Sequence, residues 1–350
     1  MKQIILEMEK LKHLETGLGQ FCFHLGNELL LQQQEQFKLN FFLPEQAATL
    51  FDKKVAVKFS KQWNKLFMPG ASRFDLWHIL HQDSKYIPAS PKKMVITVHD
   101  LNFLQKYSGR KQQSRLQQLQ SRIDRSSGVA VISNYTGSVL KNHIELKDCP
   151  LRVIYNGNSL KQFPHAQRPG FIQEDHPFFF ALGVLSPRKN FHVLPPLLKR
   201  FPHHRLVIAG PSHSEYPQQI LSAAKAAGVS SRLILVNQIT EEEKYWLYAN
   251  MDAFLFPSLA EGFGLPVVEA MSLGKPVFLS NLTSLPEVGG EMAFYFKNFD
   301  AEEMANQLEA GLHKVAHISD YSSLVKQHAH QFSWQNAAKE YLNFYSEVLS

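Results

Sequence analysis

The sequence predicts an α/β protein made of two doubly wound, Rossmann-like domains. Three observations carry this. The chain has 350 residues, enough for about two domains at roughly 150 residues each. Short β-rich runs alternate with amphipathic helical segments over nearly the whole length, and strands separated by helices of roughly 10–15 residues form parallel sheets in βαβ units. The alternation pauses at a polar, proline-containing stretch over 161–177 and then restarts.

In the first series, strands are expected at 4–6, 55–59, 94–98, 129–132 and 152–155, each a short Val/Ile-rich run that suits a buried parallel strand. Helices are expected over 20–32 and 112–123, where apolar residues recur at helical spacing. The second series places strands at 178–183, 205–209, 233–236, 253–256 and 276–279. Its helices fall at 191–200, 216–227, 241–250 and 267–273. Pro266 suits the first position of the last helix, where its missing N–H costs nothing. Gly274 then serves as C-cap and Pro276 as stop. The expected organisation is a first domain over 1–160, a linker over 161–176 and a second domain over 177–332. Doubly wound sheets bind ligands beyond the carboxyl ends of their strands. Two such domains facing one another would therefore form an interdomain cleft lined by the loops after Leu6, Val98, Gly183, Gly210 and Phe256.

Composition narrows the function. The chain is 44% hydrophobic and 19% charged, with 18 Gly and 18 Pro, as in an ordinary globular protein. Its two cysteines, Cys22 and Cys149, stand apart from any CxxC or Cys/His cluster, so no zinc site or disulfide scaffold is expected. The longest apolar run, 178–185, falls far short of the ~20 residues that span a bilayer. The first residues lack a signal-peptide pattern, and a cytoplasmic protein is expected. Residues 1–155 hold 22 Lys+Arg against 13 Asp+Glu, a balance of +9, whereas 156–350 hold 15 against 18, a balance of −3. A basic first half is either solubility charge or a surface for an anionic partner. No aromatic RNA-binding signature or zinc-finger spacing points to nucleic acid. GxxxxGK[ST], HExxH, GxSxG and GxGxxG are all absent, which removes the commonest NTPase, metalloprotease, serine-hydrolase and dinucleotide-binding readings. No Asp-x-Asp pair offers to hold a divalent metal against a diphosphate, so no metal is expected and protein groups must neutralise any diphosphate.

Two segments carry chemistry. In EGFGLPVVEAM, Glu261, Gly262, Phe263 and Gly264 lead from a strand into a helix that starts near Leu265 and carries Glu269. A helix start offers N–H groups and a positive dipole end to phosphate oxygens, and the glycines let a ligand approach the backbone. The alternative is a strand–turn–helix whose glycines serve packing. The agreement of glycines, proline and both acids favours a ligand site. In ALGVLSPRKN, Ser186, Arg188 and Lys189 follow a buried strand. Arg as a planar fork and Lys as a point charge suit a diphosphate.

These segments resemble the retaining family 4 glycosyltransferases of GT-B fold, metal-independent enzymes that use sugar nucleotides. EGFGLPVVEAM matches that family's E-x7-E motif, and GVLSPRKN its diphosphate loop. VISNYT, with Asn134, and VIYNG resemble the closing elements of its first domain. FSWQNAAKEYLNFY resembles its C-terminal helix, which implies that 333–350 crosses back onto the first domain. TGLGQFC places Gly17 and Gly19 where the family has a glycine-rich loop near the donor phosphates. VHDLNF places His99 where family members often carry a histidine near the transferred sugar; a hydrogen-bonded core histidine is the alternative. Trp77, His78 and His81 form a polar and aromatic cluster that is either structural or on the acceptor side. The resemblance covers about residues 90–350 and is most specific over 180–290.

The resemblance implies a hexosyltransferase that moves a sugar from a nucleoside-diphosphate donor to a glycan or glycolipid acceptor, as in lipopolysaccharide or surface polysaccharide assembly. GDP-mannose is the favoured donor, because EGFGLPVVEAM resembles many mannosyl- and related transferases, with UDP-glucose and UDP-N-acetylhexosamines as alternatives. Glu269 would take the ribose hydroxyls, Glu261 the sugar hydroxyls, and Arg188, Lys189 and the helix start the diphosphate. No cofactor or metal is implied. Alternatives are a sugar-nucleotide epimerase or hydrolase of the same fold, and a silent sugar-nucleotide-binding partner subunit. The basic amphipathic helix near 112–125 either lies on an anionic membrane or is an ordinary helix of the sheet.

Overall fold

The computed structural model describes residues 1–32, 35–51, 55–68, 70–173, 176–212 and 214–350. Two compact units result: Met1–Gly157 together with Phe332–Ser350, and Asn158–Gln331. Glu174 and Asp175 of the expected linker lie outside the described residues.

The first unit holds seven parallel strands: β1 (Lys2–Glu7), β2 (Phe37–Leu43), β3 (Ala56–Phe59), β4 (Leu76–Ile79), β5 (Met94–Val98), β6 (Gly128–Val131) and β7 (Leu151–Val153). Their order is β3-β2-β1-β4-β5-β6-β7, so the winding reverses between β1 and β4. Helices α1 (Gly17–Leu31), α2 (Phe103–Lys106), α3 (Gly109–Ile123) and α4 (Asn134–His143) belong to this unit. Ile4, Ile5 and Leu6 are wholly buried, as a central parallel strand covered on both faces requires. β2 and β4 escape the sequence reading because each carries a polar residue in its centre. Asn40 of β2 is buried and donates from Nδ2 to the carbonyls of Ile4 and Lys38, both at 3.1 Å. His78 occupies the middle of β4. The apolar face of α3 lies in the core through Leu119 and Ile123, which makes it an ordinary helix of the sheet and leaves no apolar stripe for a membrane.

The second unit is a six-stranded parallel sheet of β8 (Phe178–Leu182), β9 (Arg205–Ala209), β10 (Leu233–Val236), β11 (Ala253–Phe256), β12 (Val277–Ser280) and β13 (Phe294–Phe296). Its order is β10-β9-β8-β11-β12-β13, reversing between β8 and β11. It carries α5 (Tyr216–Ala226), α6 (Glu241–Asn250), α7 (Leu265–Ser272), α8 (Leu285–Gly289), α9 (Ala301–His317) and α10 (Tyr321–Ala329). The helix expected over 191–200 is instead two 3₁₀ turns, Phe191–Val193 and Pro195–Lys199. Pro195 and Pro196 lack the N–H groups that a continuous α-helix needs there.

The last helix, α11 (Trp334–Leu349), belongs to the first unit and packs along α1. A buried polar network ties it to the sheet. His78 Nδ1 lies 2.7 Å from the Tyr345 hydroxyl and Nε2 2.8 Å from Thr97 Oγ1, itself 3.0 Å from the Tyr341 hydroxyl. Among the described residues no helix is long and apolar enough to cross a membrane.

Candidate active site

The reversal between β8 and β11 is where a doubly wound sheet leaves a crevice for ligands, and the two segments singled out in the sequence meet there. β8 ends at Leu182 and leads through Gly183 to the turn Pro187–Lys189. Gly183 has φ +150°, and a Cβ on it would sit 3.0 Å from Lys189 Cε. Its bare backbone therefore lets the lysine stem lie against the strand end. β11 ends at Phe256, whose ring has Lys189 Nζ 4.5 Å from its centroid.

Glu261 is the hub. Its Oε1 lies 2.7 Å from Lys189 Nζ and 3.2 Å from Arg188 Nη1, and also accepts from Ser258 Oγ. The Glu261 N–H donates to Thr283 Oγ1 at 3.0 Å, and Ser284 Oγ donates to the carbonyls of Glu261 and Phe263, both at 3.0 Å. Arg188 also donates to the Ala260 carbonyl. Burial pushes the Glu261 carboxyl up, but Lys189 and Arg188 outweigh burial and hold it below the usual range. Burial holds Lys189 below its ordinary value, with Glu261 opposing. The two cations differ in access: the Arg188 side chain is 38% exposed, the Lys189 side chain 7%. Arg188 is thus the cation a ligand can reach directly.

Gly264, at φ +115°, caps α7 at its N-terminus, a backbone conformation that favours glycine. Leu265 opens the helix and Pro266 follows it. Glu269 lies one residue beyond the first turn and is buried. It accepts from the Tyr248 hydroxyl at 3.0 Å and lies 3.5 Å from Lys244 Nζ. Burial raises its carboxyl against the opposing Lys244 charge. Ser186 is the N-terminal flank of the 187–189 turn. Gly262 lies between the two acids in the β11–α7 loop.

Lys244 and Tyr248 of α6, with Thr283 and Ser284 just before α8, were not legible in the sequence because they share no local motif with the acids. Asn190, next in the same loop as Arg188 and Lys189 and given no role from the sequence, stands in the left-handed region at φ 58°. Its Nδ2 is buried without a partner.

In the first unit, His99 follows β5 and is 5% exposed. Its Nε2–H donates to the Leu80 carbonyl at 2.7 Å, and burial lowers it to about 4, so the ring is neutral and offers only Nδ1, as an acceptor. His81, 5.7 Å from it ring to ring, is lowered by burial to about 2, and its Nδ1 accepts from the Asp83 N–H at 3.1 Å. His78 has both nitrogens engaged and no exposure. It belongs to the core, which corrects its expected place on an acceptor face: its partners lie on β5 and α11. Asn134 opens α4 and donates to the Tyr155 hydroxyl at 2.7 Å. Gly17 is the first residue of α1. The Gly19 N–H is taken by Thr16 Oγ1 at 3.2 Å, and a Cβ on Gly19 would lie 2.2 Å from the His13 carbonyl, so close packing already explains that glycine. Among the described residues no three of His, Cys, Asp and Glu are grouped so as to hold a metal ion.

Residues 163–323 match the family model described as glycosyl transferases group 1. That span is similar to a group 1 glycosyltransferase domain. The matched span includes Arg188, Lys189, Glu261 and Glu269. The chain is 34% identical over 181 residues to the serotype-specific mannosyltransferase WbdA of Escherichia coli, covering 49% of this chain and 22% of that protein. It therefore spans about a fifth of the length of that relative. O-antigen chain mannosyltransferase B of Escherichia coli is 24% identical over 77% of this chain and 74% of its own. Anabaena Alr3699/HepE, solved in complex with UDP-glucose, superposes with a TM-score of 0.77 at 18% identity over 99% of this chain and 100% of its own. Such likeness shows the GT-B fold.

Proposed function

We propose that this glycosyltransferase moves a hexose from a nucleoside-diphosphate sugar to a glycan or glycolipid of the O-antigen kind, with retention at the anomeric carbon and with no metal. The observation that carries the reading is the convergence of Arg188, Lys189, Glu261, the head of α7 and Glu269 at the β8/β11 reversal. Two relatives named as mannosyltransferases support mannose as the sugar and GDP-mannose as the donor. The UDP-glucose held by HepE supports the donor class.

In this reading the diphosphate lies against Arg188 and the head of α7, where negative charge gains most as the anomeric C–O bond breaks. Lys189 is already committed to Glu261; it fixes that carboxylate for the sugar hydroxyls and adds its charge to the field. Glu269, held by Tyr248, accepts from the ribose hydroxyls. In the first unit His99 presents Nδ1 as an acceptor for a substrate hydroxyl. No side chain is given the part of a nucleophile, and attack from the face of the departing phosphate accounts for retention.

The test is nucleotide release from GDP-mannose and UDP-glucose, with and without a lipid-free oligosaccharide acceptor, in EDTA and in Mn²⁺, with the product's anomeric configuration read by NMR. Release only with acceptor, a retained anomer and activity in EDTA are expected. Release without acceptor points to a hydrolase, and an altered sugar nucleotide with no release points to an epimerase. An inverted anomer, or loss in EDTA restored by Mn²⁺, removes the mechanism.

A further inference from the structure

The first unit carries an exposed apolar turn that the site does not use. Leu66 is 93% exposed, Phe67 67%, Trp63 50% and Phe59 43%. All four fall within residues 59–67, at the end of edge strand β3 and in the turn that follows. Exposed large side chains scattered singly need no explanation, whereas a contiguous patch marks a contact surface.

The turn is built to hold this display. Asn64 faces inward and is buried. Its Oδ1 accepts from the Lys61 N–H at 2.8 Å and its Nδ2 donates to the Phe67 carbonyl at 3.4 Å. The Phe67 N–H donates to the Trp63 carbonyl at 3.1 Å, which closes one helical turn and puts Trp63 and Phe67 on one side. Met68 packs against the core. The backbone is pinned at its polar centre while the apolar side chains stand out.

Along the turn itself the charged side chains are all basic. Lys58, Lys61 and Lys65 are exposed, with Lys58 Nζ 4.8 Å from the Phe74 ring centroid and Lys65 Nζ 5.7 Å from that of Tyr86. From 53 to 74 the sequence has six Lys and Arg and no Asp or Glu. A protein partner with an apolar pocket would not need this excess. Trp and Phe among lysines match the bilayer interface, where aromatic rings sit at headgroup depth and lysine stems reach anionic headgroups.

We propose that the turn at 59–67 docks the protein on an anionic lipid bilayer, with Trp63, Leu66 and Phe67 entering the interface and Lys58, Lys61 and Lys65 meeting lipid phosphates. This goes beyond the transferase reading and does not rest on it.

The full chain is floated with phosphatidylglycerol/phosphatidylcholine vesicles and with phosphatidylcholine alone at low and high salt. Binding to the anionic vesicles, weakened by salt, is expected. Each lysine near the surface is worth about fivefold in partition, so K58E/K61E/K65E should lose at least about tenfold, as should W63S/L66S/F67S. The wild-type protein should show Trp fluorescence quenched by brominated lipid, and Trp63→Phe should lose that quenching, a readout that does not require the triple variants to fold. Absence of binding at low salt, full binding by either triple variant, quenching that survives Trp63→Phe, or a patch whose loss instead splits a dimer of this chain overturns the proposal. Transfer to the lipid-free acceptor, measured in parallel, keeps failure here distinct from failure of the catalytic reading.

Discussion

Arg188 and Lys189 are neighbours in the chain but carry different loads. Arg188 is more than a third exposed and shares its guanidinium between Glu261 and the Ala260 carbonyl. Arg188→Ala removes one charge-assisted contact to the leaving diphosphate, worth about 1.5–3 kcal/mol, or roughly 10–150-fold in turnover. Steady-state kinetics checks this, and a near-wild-type rate would falsify the assigned role. Lys189 is buried 2.7 Å from Glu261. Lys189→Ala leaves a carboxylate without its closest cation inside the protein, which costs about 3 kcal/mol or more of stability. It is therefore expected to lower the melting temperature as well as turnover, while Arg188→Ala lowers turnover at nearly constant melting temperature.

At the scale of elements, α11 shows how a helix distant in sequence completes a sheet. Its Phe344 and Val348 lie over Gly128 of β6, where a Cβ would come within 2.6 Å of Phe344 Cζ. Its Tyr345 hydroxyl is one of the two partners of the buried His78 ring. Tyr345→Phe keeps the ring and removes that partner, leaving a buried imidazole nitrogen unsatisfied at a cost of about 1–3 kcal/mol. Thermal unfolding followed by circular dichroism should show a drop of several degrees. An unchanged melting temperature would show that the network contributes nothing to docking α11. The 59–67 turn makes the complementary case of an element that keeps its apolar side chains outside because its backbone is tied from within.

Across the whole molecule, buried imidazoles set the response to acid. His78, His81 and His99, all in the first unit, are lowered by burial to about 3, about 2 and about 4. Unfolding returns each to about 6.5. Their folded values are depressed, so the unfolded chain binds the extra protons and stability falls as pH drops below 6.5. Glu7 acts the other way: burial raises it to about 7, so the folded state holds its proton and gains stability as pH falls from 7 towards 4.5. In the first unit these three groups oppose one at about 1.4 kcal/mol per pH unit each, a net loss from the four of about 3 kcal/mol per unit between about pH 6.5 and 4.5. Melting followed by the fluorescence of Trp77, buried in the first unit, should shift down by many degrees between pH 7 and pH 5. A constant transition over that range would mean that these rings titrate normally and are not held neutral.

Elements whose signal is local are legible in the order of residues. β5, β9, β10 and β11 occupy the expected residues because each is a mostly apolar run rich in Val, Ile, Leu or Phe between polar boundaries. The loops holding Arg188, Lys189, Glu261 and Gly264 were legible because their residues are contiguous and directly follow such strands. The rest follows from packing. β2 and β4 hide behind Asn40 and His78, whose polar atoms are satisfied by partners on other elements. Tyr248, Lys244 and Thr283 reach the two acids only through parallel winding, which joins loops far apart in the chain. Trp63, Leu66 and Phe67 look like core residues in a sequence, and their exposure follows from which side of one turn Asn64 occupies. A property that depends on neighbours along the chain can be read from order alone, whereas one that depends on burial and distant hydrogen bonds exists only once the chain has packed.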